Sequence, residues 1–152
     1  MSVLTKVAVL KNEPQKEERK PMNKVIVIGG GFAGVEAAHQ LSKAGIPVIL
    51  YEMKPKKFSP AHSMSTLAEP VCSNSFKALR TASAAGTLKA EMELFDSICV
   101  ECAKATAVPA GGALAVDREK FSALVTEKIK ADPLIELRHE EITEIPRDCT
   151  VI

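Results

Sequence analysis

One cysteine of the chain lies in a setting that favours chemistry over packing. Cys72 belongs to the stretch LAEPVCSNSFKA, residues 67–78, in which the apolar residues follow neither a helical nor a strand period. Free cysteines in a core are usually accompanied by apolar neighbours at regular spacing. Two interpretations therefore stand: Cys72 is a structural thiol in an irregular loop, or it is a nucleophile held at an accessible position.

A glycine cluster supplies a second chemical pattern. Three glycines spell G-x-G-x-x-G between a predicted strand and a predicted helix. In such a turn the first glycine permits the tight bend, the second lets the backbone approach a pyrophosphate, and the third lets helix and strand pack closely. The anion then meets unpaired amides at the positive end of the helix dipole. The predicted cofactor-binding residues are Gly29, Gly30, Gly31, Phe32, Ala33 and Gly34.

Glu52 completes this pattern 18 residues after Gly34, at the end of the second predicted strand. A carboxylate there accepts hydrogen bonds from a ribose 2′-hydroxyl and disfavours a 2′-phosphate. The alternative is a turn that only permits tight packing, with Glu52 on the surface, but the strand and helix on either side of the turn favour a dinucleotide site. The pattern serves FAD and NAD alike and does not choose between them.

Hydrophobic spacing predicts the elements that hold these residues. The β-branched run 24–28 predicts a buried strand, residues 33–44 predict a helix, and Gly45 is placed to end it in the left-handed conformation. Residues 48–51 predict a second buried strand. Together they form a βαβ unit, which we expect to be right-handed.

The rest of the chain alternates further elements with one long irregular segment. Residues 53–85 have no convincing period, and loops of this length in compact domains usually carry function. Asp117 is predicted to cap a helix with an apolar face of Phe121, Leu124, Val125 and Ile129, and Pro133 to end it. The other predicted elements are a helix over 86–104 and strands over 113–116, 134–139 and 141–145, with a further apolar run starting at 150–152.

Composition limits the class of protein. The 152 residues are 46% hydrophobic and 26% charged, which suits one domain with a core and argues against disorder. Twenty basic and nineteen acidic residues give a net charge of +1, which neither indicates nor excludes a nucleic-acid partner. No apolar run approaches the roughly 20 residues of a membrane helix. The four cysteines lack the density of a disulfide framework and favour a reducing cytoplasm. Residues 1–22 are interpreted as a mobile leader before a domain over 23–152.

Four segments of the chain carry a family resemblance. They are YEMKPKKFSPAH, LAEPVCSNSFKA, VPAGGALAVDREKF and EEITEIP. Together they resemble the TrmFO family, the folate- and FAD-dependent tRNA (uracil-5-)-methyltransferases of bacteria, from about Asn23 to Ile152. The related glucose-inhibited division protein A family shares the glycine turn but fits the loop segments poorly.

The resemblance implies a fold and a chemistry. The fold class is α/β: a FAD/NAD(P)-binding Rossmann-like domain of the glutathione-reductase type, with a parallel sheet and flanking helices, here incomplete because the family's proteins are longer. The flavin is reduced by NAD(P)H, takes a one-carbon unit from methylenetetrahydrofolate and passes it to C5 of a T-loop uridine in tRNA. The expected partners are tRNA and folate, in the cytoplasm and without a membrane. The sequence does not assign an oligomeric state.

The same resemblance makes Cys72 a catalytic thiol, because it matches a cysteine of the family's VCSNS motif. A soft thiolate suits addition to C6 of uracil, which turns C5 into a nucleophile. Whether Cys72 attacks C6, acts as a base or guards the flavin adduct stays open. Pro70 stands where the family has Leu, and Ser63 where it has a second His, so that His62 is the only imidazole of the loop. His62 is interpreted as a hydrogen-bonding loop residue.

Other polar and sulfur-bearing residues have simpler interpretations. Asn74 and Ser75 are expected to hold the loop by bonds from side chain to backbone. The C-x-x-C pair has no second pair at metal spacing and is predicted to pack in the core, on a helix stripe of Leu88, Met92, Phe95, Cys99 and Cys102. Arg118 is either an anion partner or a surface residue. Five basic residues have two open interpretations. They either contact tRNA phosphates or polyglutamylated folate, or they only form a solvated surface. They are Lys54, Lys56, Lys57, Lys77 and Arg80.

Two further functions remain compatible with these patterns. The first is a different flavin oxidoreductase, including a tRNA-modifying flavoprotein of the glucose-inhibited division protein A type. The second is a non-catalytic dinucleotide-binding module.

Overall fold

The computed structural model describes residues 24–147 and 149–152, so the predicted leader over 1–22 lies outside the described residues. The described residues form six strands and four helices. In chain order they are β1 (Val25–Ile28), α1 (Phe32–Lys43), β2 (Val48–Glu52), β3 (Ser75–Ala78), α2 (Ala84–Leu94), α3 (Ile98–Ala105), β4 (Ala107–Val108), β5 (Ala113–Val116), α4 (Arg118–Ala131) and β6 (Ile135–His139).

A parallel sheet forms the base of the fold and has the strand order β1-β2-β6. β1 pairs with β2 from Val25–Val48 onwards, and β2 pairs with β6 from Val48–Ile135 onwards. On the other side of β1, Ile26 forms a parallel bridge with Val151. The apolar run predicted at 150–152 therefore adds to this sheet. The βαβ unit is confirmed, with element ends within one residue of the prediction.

A second, antiparallel sheet has the order β3-β5-β4. The strand predicted over 113–116 is its middle strand, whereas β3 and β4 were not predicted. β3 lies inside the segment that showed no period, because it has only four residues and none of them is fully buried. This short strand places the segment around Cys72 against β5.

The helix predicted over 86–104 is wrong, because the structure has two helices there. Asp96 adopts a φ of 54°, and the Ser97 hydroxyl accepts a hydrogen bond from the amide of Val100, which starts α3. The predicted apolar stripe is divided by this break. Cys99 and Cys102 are buried, but Leu88 and Phe95 are 57% and 69% exposed.

The strand predicted over 141–145 is also wrong. β6 pairs with β2, and this pairing ends at Glu52 and His139, so the residues beyond have no neighbouring strand to join. Ile145 is 76% exposed. The other predicted ends are confirmed: Gly45 has a φ of 76°, Asp117 caps α4, and α4 ends before Pro133.

The core lies between the parallel sheet and helices α1, α3 and α4. The predicted face of α4 is confirmed, since Phe121, Val125 and Ile129 are fully buried and Leu124 packs beside them. Burial of each such side chain stabilises the fold by about 1.5–3 kcal/mol. α1 is thereby held with its N-terminus at the end of β1, next to the glycine turn.

Candidate functional site

The glycine turn connects β1 to α1 in the geometry that its spacing predicts. Gly29 has a φ of 101°, which favours glycine, and its amide donates to the carbonyl of Tyr51 at 2.8 Å. A Cβ built on Gly34 would lie 1.7 Å from the carbonyl oxygen of Gly29. Only glycine at position 34 therefore allows α1 to approach the turn so closely.

Gly31 faces open space at the start of α1. It is the N-cap residue, no side-chain hydrogen bond caps the helix among the described residues, and a Cβ built on Gly31 would meet nothing within 4 Å. The first amides of a helix have no partner within it. Such amides, beside an open glycine and the positive helix end, fit a phosphate group. The start of α1 therefore has the open geometry that a pyrophosphate would need, and binding of a pyrophosphate here stays a prediction.

Glu52 braces this turn from β2. Its side chain is buried, with Oε2 accepting a hydrogen bond from the amide of Gly30 at 2.8 Å and Oε1 accepting one from the amide of Lys54 at 2.9 Å. A carboxylate accepts about four hydrogen bonds, so capacity remains for a ligand. Glu52 is thus not the surface residue of the alternative interpretation, and its predicted contact with a ribose stays a prediction.

Glu52 and Cys72 each line a cavity that borders the start of α1. The first, which we call the Glu52 cavity, has a volume of about 330 Å³ and is lined by Gly31, Glu52 and His62 among others. The second, the Cys72 cavity, has a volume of about 460 Å³ and is lined by Phe32 and Cys72 among others. Because Gly31 and Phe32 are consecutive, the N-terminus of α1 borders both cavities.

Cys72 is exposed, so it is not a packed core thiol. Its cavity has a mainly apolar lining, with Phe32, Val71 and Phe76 as large side chains. Phe32 and Phe76 are held by the buried ring of Phe121, with centroids of the three rings 5.3–5.6 Å apart. The structure therefore places an accessible thiol on a rigid aromatic wall beside the helix N-terminus.

The loop before Cys72 is tied to the glycine turn and to α4. The amide of Ala68 donates to the carbonyl of Gly30 at 2.8 Å, and the amide of Leu67 donates to the hydroxyl of Thr126 at 2.9 Å. Leu67 and Ala68 are fully buried. Sequence reasoning missed this anchor, because Thr126 lies 59 positions away in the chain.

The loop after Cys72 is tied to β5 by hydrogen bonds of Asn74. The side-chain amide of Asn74 donates to the carbonyl of Val116 at 3.1 Å, and the Val116 amide donates back to the Asn74 carbonyl at 2.9 Å. The hydroxyl of Ser75 accepts a hydrogen bond from the amide of Lys77 at 3.2 Å. The predicted side-chain to backbone bonds of Asn74 and Ser75 are confirmed.

A buried ion pair lies under the loop. Lys54 and Glu69 are 2% and 4% exposed, with Nζ 3.9 Å from Oε2. Lys54 also donates to the carbonyl of Thr66 at 2.7 Å. This position removes Lys54 from the predicted basic surface, because a buried ammonium cannot reach tRNA phosphates. The feature of the sequence that could have indicated this buried pair is the position of Glu69 between the apolar residues Ala68 and Pro70.

The charge of Glu69 makes the stability of the chain depend on pH. Burial raises the pKa of Glu69, but hydrogen bonds from Ser63 and Met64 and the charge of Lys54 outweigh it, so the pKa lies below its ordinary value of 4.5. The unfolded chain therefore takes up this proton at a higher pH than the folded chain does. The stabilisation is present above about pH 4.5 and is lost as the pH falls through the lowered pKa.

We expect the difference in unfolding free energy between the wild type and Glu69→Gln to be largest above pH 5 and to shrink towards pH 3. Urea titrations followed by circular dichroism at a series of pH values measure it. The matched control is Glu93→Gln, which removes a carboxylate from an exposed ion pair with Lys104. A difference for Glu69→Gln that does not change over this range would contradict a charged, buried Glu69.

The C-x-x-C pair is structural, as predicted. Burial raises the pKa of the Cys99 thiol well above its ordinary value, and Glu36 adds to this; burial raises the pKa of Cys102 to about 11. Such thiols stay protonated and inert. No cluster of three or more potential metal-ligating side chains occurs within residues 24–147 and 149–152.

The remaining predicted residues lie around the two cavities or away from them. His62 accepts or donates a hydrogen bond at 2.6 Å with the hydroxyl of Ser59 and lines the Glu52 cavity, not the Cys72 cavity. Lys57 pairs with Glu141 at 2.5 Å. Lys77 lines the Cys72 cavity. Exposed side chains without a role at either cavity are those of Lys56, Arg80 and Arg118.

None of the described helices is long and apolar enough to cross a membrane.

Similar sequences carry a consistent name. A protein of Caldicellulosiruptor bescii is 57% identical over 128 residues, covering 84% of this chain and 29% of that protein. A protein of Aquifex aeolicus is 56% identical over 129 residues, covering 85% of this chain and 29% of that protein. Both are named methylenetetrahydrofolate–tRNA-(uracil-5-)-methyltransferase TrmFO. The resemblance to TrmFO is confirmed, and the chain spans about three tenths of the length of these relatives.

Solved structures show the same fold. The chain matches the structure of Aquifex aeolicus GidA with a TM-score of 0.64 and 15% identity, covering 82% of this chain and 21% of that one. It matches p-nitrophenol 4-monooxygenase PnpA from Pseudomonas putida with a TM-score of 0.53 and 19% identity, covering 84% of this chain and 34% of that one. The predicted α/β, Rossmann-like fold class is confirmed.

One family model covers all of the described residues. The model described as Glucose inhibited division protein A matches residues 24–152, which include the glycine turn and the loop segments alike. With the glycine turn, the braced Glu52 and the fold all in agreement, the chain belongs to the glucose-inhibited division protein A family.

Proposed function

We propose that this chain forms the flavin-binding part of a cytoplasmic enzyme that methylates C5 of a T-loop uridine in tRNA, with methylenetetrahydrofolate as the one-carbon donor and NAD(P)H as the reductant. The observation that carries the proposal is the position of Cys72: an exposed thiol in a cavity that borders the same helix N-terminus as the phosphate cradle. The names of the relatives support the substrates.

The residues around the start of α1 suit the parts of FAD. The open side of Gly31 and the amides of the helix N-terminus would hold the pyrophosphate. The Glu52 cavity would take the adenosine, with the carboxylate of Glu52 accepting from ribose hydroxyls. The apolar wall of Phe32 and Phe76 suits a flat ring system in the Cys72 cavity.

Bound FAD supplies the electron and one-carbon chemistry that protein side chains lack. The contribution of this chain is to position the cofactor and to present a thiol. As a thiolate, Cys72 would add to C6 of the uracil and make C5 nucleophilic, and it would leave again once C5 had lost its proton. Lys77 lines the same cavity.

Two exposed basic residues in or just after β3 suit a nucleic-acid partner. Lys77 lines the Cys72 cavity, and Arg80 lies two residues after the end of β3, outside the lining of that cavity. Such residues bind phosphates whatever the sequence of the tRNA. Lys54 takes no part, because it is buried beneath the loop.

The experiment uses the protein as its gene encodes it, purified and incubated with undermodified tRNA, NADPH and methylenetetrahydrofolate labelled in the one-carbon unit. We expect a yellow protein with absorption at about 450 nm and label in 5-methyluridine from the T-loop. S-adenosylmethionine in place of the folate is the control and should give no label. Flavin binding without label would favour another flavin oxidoreductase, and a protein that binds no flavin would contradict the whole proposal.

A further inference from the structure

We infer that Glu69 is a positioning residue for Cys72: its buried carboxylate folds residues 63–69 into one fixed loop, which directs Cys72 into its cavity. The inference rests on the proposed function of Cys72 and deepens it, because it names the group that holds the thiol in place. Glu69 and Cys72 line the same cavity and are three residues apart.

The carboxylate of Glu69 organises its own loop. It accepts hydrogen bonds from the amide of Ser63 at 3.0 Å, from the hydroxyl of Ser63 at 2.9 Å and from the amide of Met64 at 3.1 Å. All three donors precede Glu69 by five or six positions. One side chain thereby closes the loop and satisfies amides that would otherwise be left without partners.

Lys54 holds this carboxylate from the side of β2. Its ammonium lies 3.9 Å from Glu69 and donates to the carbonyl of Thr66, inside the closed loop. Removing one partner of a buried pair leaves the other charge uncompensated. Lys54 also lines the Glu52 cavity. Glu69 itself lines the Cys72 cavity and not the Glu52 cavity, so its replacement leaves the lining residues of the proposed adenosine site in place.

The backbone between Glu69 and Cys72 has little conformational freedom. Ala68 is bonded to Gly30 on one side, and Asn74 is bonded to Val116 on the other. Pro70 follows Glu69 directly and restricts the backbone of both residues. The backbone conformation that the Glu69 side chain fixes therefore also fixes the position of Cys72, three residues further along the chain.

A purely structural role predicts a different result from a positioning role. If Glu69 only stabilises the fold, its loss should weaken FAD binding and the order around Cys72 together. If it positions Cys72, FAD should still bind, because Gly31 and the helix N-terminus make no contact with the Glu69 side chain in the described hydrogen bonds. The thiol would then no longer face the bound flavin.

The test measures alkylation of Cys72 by iodoacetamide in the gene-encoded protein, by peptide mass spectrometry, with and without saturating FAD. FAD affinity is measured by fluorescence titration in parallel. For the wild type and for the control Glu93→Gln we expect FAD to slow alkylation by about tenfold or more. For Glu69→Gln we expect an FAD affinity within about threefold of the wild type, but a protection of less than about twofold.

Each outcome decides one claim. Full protection in Glu69→Gln would overturn the inference and leave the proposed FAD site standing. FAD binding without protection in the wild type would overturn the proposed site itself. If Glu69→Gln does not fold, Ser63→Ala, which removes one donor to Glu69, should reduce the protection by about twofold to threefold at unchanged FAD affinity; unchanged protection there would equally overturn the inference.

Discussion

Replacing Cys72 with alanine is expected to abolish methylation of tRNA uracil while FAD stays bound. The side chain is exposed and lines a cavity, so its loss leaves the core and the glycine turn unchanged. Without a thiolate at C6, C5 of uracil remains a poor nucleophile, and we expect the rate to fall by about a thousandfold or more. The measurement is transfer of the labelled one-carbon unit from methylenetetrahydrofolate to tRNA, together with the flavin absorption of the purified variant.

Cys149→Ala is the matched control, because it removes a cysteine that lines neither cavity. It should methylate at the wild-type rate. Cys72→Ser should also fail to methylate, because a hydroxyl is too weak a nucleophile at neutral pH to replace a thiolate. Normal methylation by Cys72→Ala would show that the thiol is not the reacting group.

Replacing Gly34 with alanine is expected to destabilise the fold severely. The added Cβ would lie 1.7 Å from the carbonyl oxygen of Gly29, a backbone atom that cannot move without shifting β1 or α1. We expect the free energy of unfolding to fall by about 3 kcal/mol or more. Urea titration of the purified variant measures this loss.

Gly31→Ala is the matched control for the same added methyl group. At Gly31 the Cβ meets nothing within 4 Å, so the free energy of unfolding should fall by only about 1 kcal/mol, the cost of alanine at an N-cap. The methyl group would occupy the space proposed for the pyrophosphate, and FAD affinity should fall by about tenfold or more. Wild-type FAD affinity in Gly31→Ala would contradict a pyrophosphate at this position.

Local patterns predicted the part of the fold that holds the proposed cofactor site. The βαβ unit follows from an apolar run, a glycine cluster and a second apolar run, and α4 follows from Asp117 at its start and Pro133 after its end. Each of these signals lies within a few residues of the element that it defines. The close approach of Gly34 to the carbonyl of Gly29 was predictable for the same reason.

Contacts between distant residues were not predictable. The break between α2 and α3 depends on Glu36, which accepts hydrogen bonds from the Ser97 hydroxyl and the Cys99 amide at the start of α3, 61 and 63 positions away. From the sequence, Lys54 was interpreted as part of a basic surface, but in the structure it is buried beside Glu69. The periodic spacing of Leu88 and Phe95 suggested burial, but no helix or strand covers them among the described residues.

A crystal structure of the protein with bound FAD tests the central claim most directly. We predict phosphate oxygens at about 2.9 Å from the amides at the start of α1, next to Gly31, and the flavin ring against Phe32 with the sulfur of Cys72 facing it. A pyrophosphate bound elsewhere, or a flavin ring outside the cavity that Cys72 lines, would contradict the account.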